Sequence, residues 1–187
     1  MLRNTKILYG IISVLLVICM LCGIHIAKDR AMMYENRAYI VTETSALSEG
    51  VLGWITSAVE AENPDDISSS ISNAKIYLES LIEITSIGGR GVYKYNILLK
   101  EKSYGIPGMF SHDLRDIELR LDEIQRNLSE NGKLSEEDLA YLKAAEEAFG
   151  YLFERLETDG VINEDAVKSD TYIANVCGNF CYMMLNK

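Results

Sequence analysis

From Ile7 to Ile26 the chain reads ILYGIISVLLVICMLCGIHI, twenty residues without a formal charge, whose one strongly polar member, His25, stands at the end. At about 1.5 Å per residue a helix of that length reaches roughly 30 Å, the thickness of a bilayer's hydrocarbon core. No later segment is apolar enough all round to enclose such a helix inside a folded domain, so it is expected to span a membrane. Residues 7–26 are therefore read as the contact with the lipid bilayer, and residues 1–6, with Arg3 and Lys6, as a short basic tail.

A signal peptide would share that basic start, but cleavage after Ala27 puts His25 at the −3 position and cleavage after Gly23 puts Leu21 there, where small residues are needed. Cys19 and Cys22 follow Ile18 and Leu21, too large for a lipidation signal. The segment is expected to remain as an uncleaved signal anchor. Basic residues are nearly balanced, with Arg3 and Lys6 before it and Lys28, Arg30 and Arg37 after it. The short tail and the long following domain favour a cytoplasmic N-terminus and an extracytoplasmic domain over 27–187.

The full chain holds 18 Lys and Arg against 28 Asp and Glu. Two of the cations precede the apolar run, so residues 27–187 carry a net charge of −12. That balance excludes nucleic acid, whose phosphates need clustered cations, and it repels anionic lipid headgroups.

Past the apolar run the hydrophobic residues recur at helical spacing, which predicts an all-α fold: an antiparallel bundle of about five to six helices. Over Ala31 to Glu62 the inward stripe is Ile40, Thr44, Leu47, Val51, Trp54 and Ala58, with a bend or a close helix crossing at Gly50 and Gly53. Asp66 to Ile87 follows with Ile71, Ala74, Leu78, Leu81 and Thr85, and ends at a turn, Gly88 to Gly91. A short helix over Val92 to Lys102 and a loop from Ser103 to Gly108 come next. The clearest stripe is Leu114, Ile117, Leu121, Ile124 and Leu128, with Ser111 as N-cap and Arg120 and Asp122 as exposed neighbours of the buried Leu121. Ser135 to Thr158 carries Leu142, Ala145, Phe149, Leu152 and Leu156, and Glu164 to Leu185 carries Ile173, Val176, Phe180 and Met183. The domain is expected to be monomeric or a weak homo-oligomer.

Chemistry-bearing motifs are sparse. The histidines are His25 and His112, and neither lies three residues after a Glu, as bundle-core di-iron sites require. His112 reads as a surface residue of a helix's first turn. Cys177 and Cys181, four apart on one helix face, read as reduced packing thiols, because a disulfide between them would strain the helix. The Gly88 to Gly91 cluster lacks phosphate-loop spacing. Tyr93, Tyr95 and Tyr104 surround the central loop and read as packing residues.

Asn127, Ser129, Asn131, Gly132, Leu134, Ser135 and Asp138 occupy positions 1, 3, 5, 6, 8, 9 and 12 of a loop that resembles the EF-hand family over twelve residues. One carboxylate at a ligand position makes weak calcium chemistry. A second copy of the phrase runs from Asp159 and Gly160 to Asn163 and Glu164, with Arg155 and Ala166 at its first and last positions. Both copies read as turns in which Gly closes one helix and Ser135 or Asn163 opens the next. Over Leu114 to Leu156 the helix, Gly-x-Leu-Ser turn and second helix are similar to the membrane-anchored helical part of spore-germination accessory proteins. That pattern carries no residue across, and no family is assigned.

The expectation is a membrane-anchored, extracytoplasmic, non-enzymatic helical bundle that contacts another protein or an envelope component. No catalytic, cofactor or metal residue is assigned. A ligand-sensing bundle and a weak calcium-responsive module are the alternatives.

Overall fold

The computed structural model describes the backbone over residues 2–90 and 106–185, and side chains over 12–87 and 106–185. It is all-helical apart from one two-residue ladder. Six helices are present among the described residues: α1 (Leu2–Glu60), α2 (Pro64–Arg90), α3 (Phe110–Asn131), α4 (Glu136–Leu156), α5 (Glu164–Lys168) and α6 (Asp170–Leu185). The strands β1 (Glu157–Thr158) and β2 (Val161–Ile162) pair antiparallel between α4 and α5. The chain divides into two compact units, Met1–Asn36 and Arg37–Lys187.

In the first unit, α1 is long and apolar enough to cross a membrane. Its large apolar side chains from Ile12 to Ile24 are between 43% and 67% exposed.

The second unit holds the core. Val51, Ile55 and Ala58 of α1 are buried, as are all five stripe residues of α2, α3 and α4. The pairs α1–α4, α2–α3 and α4–α6 run antiparallel, and polar contacts fix their register. From α1, Thr56 Oγ1 donates to Glu146 Oε1 of α4 at 2.8 Å and Ser45 Oγ donates to Glu157 Oε2, just past the end of α4 in β1, at 3.0 Å. Between α2 and α3, Gln125 Nε2 donates to Ser72 Oγ at 2.6 Å, and Lys75 pairs with Asp122. Between α4 and α6, Asn179 Nδ2 donates to Tyr151 Oη at 2.9 Å. Phe180 meets Phe110 and Phe149 edge-on, with centroids 5.4 and 5.0 Å away, and joins α3, α4 and α6. Each such ring pair adds about 0.5–1.5 kcal/mol beyond area burial.

Several expectations are corrected. Trp54 is 36% exposed, and Ile55 takes the inward place beside Val51 and Ala58. Leu47 and Met183 are half-buried. Ser111 lies inside α3 instead of capping it: Met109 holds the N-cap position without a side-chain cap, and Ser111 Oγ donates to the Gly108 carbonyl at 3.4 Å. The backbone of α2 stays helical through Gly88 and Gly89 to Arg90, past the expected start of the turn, while Gly91 and the expected helix over Val92 to Lys102 lie outside the described residues. The last helix is broken at Ser169, whose backbone is extended and whose Oγ accepts from the Tyr172 N–H at 3.2 Å, so that Ser169 caps α6.

The two EF-hand-like phrases diverge. Gly132, at φ 67°, closes α3 in the left-handed conformation, and Ser135 opens α4. Gly160 closes no helix: α4 ends at Leu156, and Asp159 and Gly160, at φ 53° and 76°, form the tight turn of the β1–β2 hairpin. Two successive left-handed residues suit the right-handed twist of a hairpin, which is why Asp-Gly is a hairpin signal. Asn163 does open a helix, accepting from the Asp165 N–H at 2.9 Å.

Candidate functional site

The most connected polar group lies where α3 meets the start of α4. Asp138, at the third position of α4, is 2% exposed. Its Oδ2 accepts from Ser135 Oγ at 2.8 Å, while the same hydroxyl accepts from the Asp138 N–H at 3.0 Å, so Ser135 caps α4 and is itself held by the carboxylate. Asp138 Oδ1 receives Arg120 Nη2 at 3.0 Å, and Arg120 also reaches Glu123 at 2.7 Å and Glu137 at 3.3 Å. Its guanidinium lies 5.6 Å from the centre of the Tyr141 ring. Burial pulls the Arg120 pKa down, and the bond and charge of Glu123 with the charges of Asp138 and Glu137 outweigh it, so the net shift is upward. Burial, opposed by Arg120 and aided by Asp116, pushes the Tyr141 hydroxyl up to about 12.

This arrangement bears on calcium. Asp138 is the one carboxylate at a ligand position of the EF-hand-like phrase, and a guanidinium, a serine hydroxyl and Asn127 Nδ2, at 3.5 Å, already face it. A cation entering there would have to displace Arg120. Among the described residues no group of three or more His, Cys, Asp and Glu side chains is placed to hold a metal. His112 is exposed, and His25 lies 3.6 Å from Asp29, one turn on.

Cys177 is buried and Cys181 half-buried, and both are free thiols. Cys181 Sγ donates to Asp113 Oδ2 at 3.1 Å. Burial, with the Cys181 and Asp113 charges, raises the Cys177 pKa, and burial, with the Asp113 bond and charge, pushes Cys181 up to about 12. These are poor nucleophiles, since the thiolate is the reactive form. At the start of the second unit, Arg37 donates from Nε to the Ala166 carbonyl at 3.3 Å and pairs with Asp170, so one side chain ties α1 to α5 and α6. A hollow of about 270 Å³ is lined by Pro64, Asp65, Ser68, Leu128, Ser129 and Gly132, slightly below the usual range for a ligand pocket.

The surface between α1 and α2 is of another kind. Tyr77 lies over Gly50, and a Cβ added at Gly50 would sit 2.2 to 2.9 Å from three ring carbons of Tyr77. Around this contact run two stripes at four-three spacing: Glu43, Leu47, Gly50, Trp54 and Ser57 on α1, and Asn73, Tyr77, Ser80, Ile84 and Ile87 on α2. Trp54 and Tyr77 are 36% and 39% exposed, and the adjoining Ile76 is 61% exposed. Trp54, one turn after Gly50, lies on the side of α1 next to Tyr77 and off the buried side held by Val51, Ile55 and Ala58. Tyr93, Tyr95 and Tyr104 lie outside the described residues. No family model, curated protein or solved structure matches the chain.

Proposed function

We propose that this chain is a single-pass membrane protein, anchored through residues 7–26, whose acidic helical domain lies outside the cytoplasm and binds another protein without catalysing a reaction. The observation that carries the anchor is the exposure of every large apolar side chain described between Ile12 and Ile24. Leaving that surface in water costs about 25 cal/mol per Å², and a bilayer is the environment that a twenty-residue helix of this composition matches in length. The flanking basic residues are nearly balanced, and the short N-terminal tail with the bulk of the following domain supports the orientation. A binding role is favoured by the exposed aromatics of the α1–α2 face, since Trp and Tyr are enriched where proteins meet.

Alkaline washing of membranes tests the anchor: the full-length chain should stay in the pellet, and a shortened soluble form would indicate cleavage. Protease added to intact cells should digest the domain, and digestion only after inverted vesicles are prepared would reverse the orientation. Chemical cross-linking in living cells should trap a protein partner. Failure to trap any across several growth states, with turnover of a substrate by the purified protein, would replace binding by catalysis.

A further inference from the structure

Both cysteines and two of the three methionines of the second unit lie between Cys177 and the end of α6. Cys177, Cys181 and Met184 stand four and three residues apart, so two thiols and a thioether share one stripe of the helix. Side chains on a helix lean toward its N-terminus, and the long one at Met184 therefore reaches back over the turn that carries Cys181. Cys177 is buried, whereas Cys181 and Met184 are half-buried against the core, so the stripe is closed at one end and open at the other. Asp113, half-buried on α3, accepts from Cys181 Sγ at 3.1 Å, which gives the Cys181 proton a carboxylate to leave by. A set of three His, Cys, Asp and Glu donors is missing among the described residues, and it is methionine that raises the two thiols to a set of three.

We propose that Cys177, Cys181 and Met184 bind one Cu(I) ion through their three sulfurs. The site goes beyond the protein-binding reading and does not depend on it. Thiolate and thioether donors are soft and select Cu(I), whereas zinc sites take four donors drawn from Cys, His, Asp and Glu, and calcium and magnesium take oxygen. Binding forms two bonds to thiolate sulfur and one to thioether sulfur and releases two protons, so the metal stays Cu(I) and no electron is exchanged. Both thiols hold their protons in the folded chain, and a coordinated soft cation removes them.

The anchor carries two further thiols, Cys19 and Cys22, so the test starts from the full-length chain with Cys19→Ser and Cys22→Ser, reduced and held in nanodiscs without oxygen. Titrated with Cu(I) against bicinchoninate, a coloured chelator of that ion, it should withdraw one equivalent. X-ray absorption at the copper edge should show sulfur neighbours alone. Cys177→Ala and Cys181→Ala should each abolish the competition. Met184→Leu keeps the volume and should weaken binding by about tenfold or more, while Met183→Leu, off the stripe, should weaken it by less than about threefold.

Full affinity in either Cys→Ala variant would overturn the proposal. So would loss of all competition when Cys19 and Cys22 alone are replaced, which would put the copper in the anchor. Equal effects of Met184→Leu and Met183→Leu would remove the thioether, and the three-sulfur site with it. Nitrogen or oxygen neighbours at the copper, or its displacement by an equal concentration of zinc, would overturn both the donor set and the choice of cation. The absorption spectrum is taken on a chain whose α6 is unaltered, so the test stands even if a Cys177 variant fails to fold.

Discussion

Gly50 and Arg120 show how far one residue's environment can depart from its helical position. Gly50 sits in a helix, where glycine is usually a weakness, yet its missing Cβ is the space the Tyr77 ring fills. Gly50→Ala is expected to destabilise the domain by about 1–3 kcal/mol, because helix propensity gained is smaller than the strain of overpacking. Adding Tyr77→Ala should recover much of that loss in thermal unfolding, and strictly additive losses would mean that the two do not share the space. Arg120, expected from its place beside Leu121 to be a spectator, faces the buried Asp138 carboxylate. Arg120→Ala should cost about 1–3 kcal/mol by leaving that carboxylate short of a charged partner. Arg126→Ala, at an exposed position further along the same helix, should change denaturant unfolding by less than about 0.5 kcal/mol. Equal effects would show that Asp138 is satisfied by Ser135 and Asn127 alone.

At the scale of elements, α3 tests the assigned phase. Leu121 is fully buried between Ile117 and Ile124, so Leu121→Asp should unfold the domain or abolish cooperative melting, whereas Asp122→Ala, which loses an exposed pair with Lys75, should cost less than about 1 kcal/mol. A second test lies on α6. Cys177 and Cys181 hold their protons more tightly folded than unfolded. Their contribution to stability is therefore whole below about pH 8.5, the ordinary thiol value, and is lost as pH rises toward about 12 for Cys181. Melting temperature should fall between pH 8.5 and 10, and less steeply in Cys181→Ala; parallel slopes would remove the thiols from the account. The stripes of α2, α3 and α4 were legible because their apolar residues recur at one spacing with no competing signal. The break at Ser169 was not, since Ala166, Ile173 and Val176, seven and three apart, continue an apolar helical pattern across it and the capping hydroxyl differs in no way from an exposed serine. The Asp159–Gly160 hairpin carried its own signal, but the flanking residues also suit helix ends, and the helical reading hid it. The Arg120–Asp138 contact joins residues 18 apart on different helices, and nothing local to either announces it.

For the whole molecule, the second compact unit, Arg37–Lys187, holds the buried core. A chain truncated to begin at Ala31 is accordingly expected to be soluble, predominantly helical by circular dichroism and cooperative in thermal melting; aggregation or a broad transition would show that the preceding residues are needed for the fold. Order of synthesis adds a constraint of time. The face of α1 that bears Ser45 and Thr56 meets partners 112 and 90 residues later in the chain. At about 5–20 residues per second, the ribosome leaves that face waiting on the order of 5–20 s before α4 emerges. The Arg120–Asp138 contact closes over 18 residues, whereas the α1–α4 seam must close a long loop, and such contacts form slowly. The register of α1 is thus expected to be set only after α4 has been made, and a nascent chain released before then would present to the cell the side of α1 that bears Val51 and Ile55 still without its full cover.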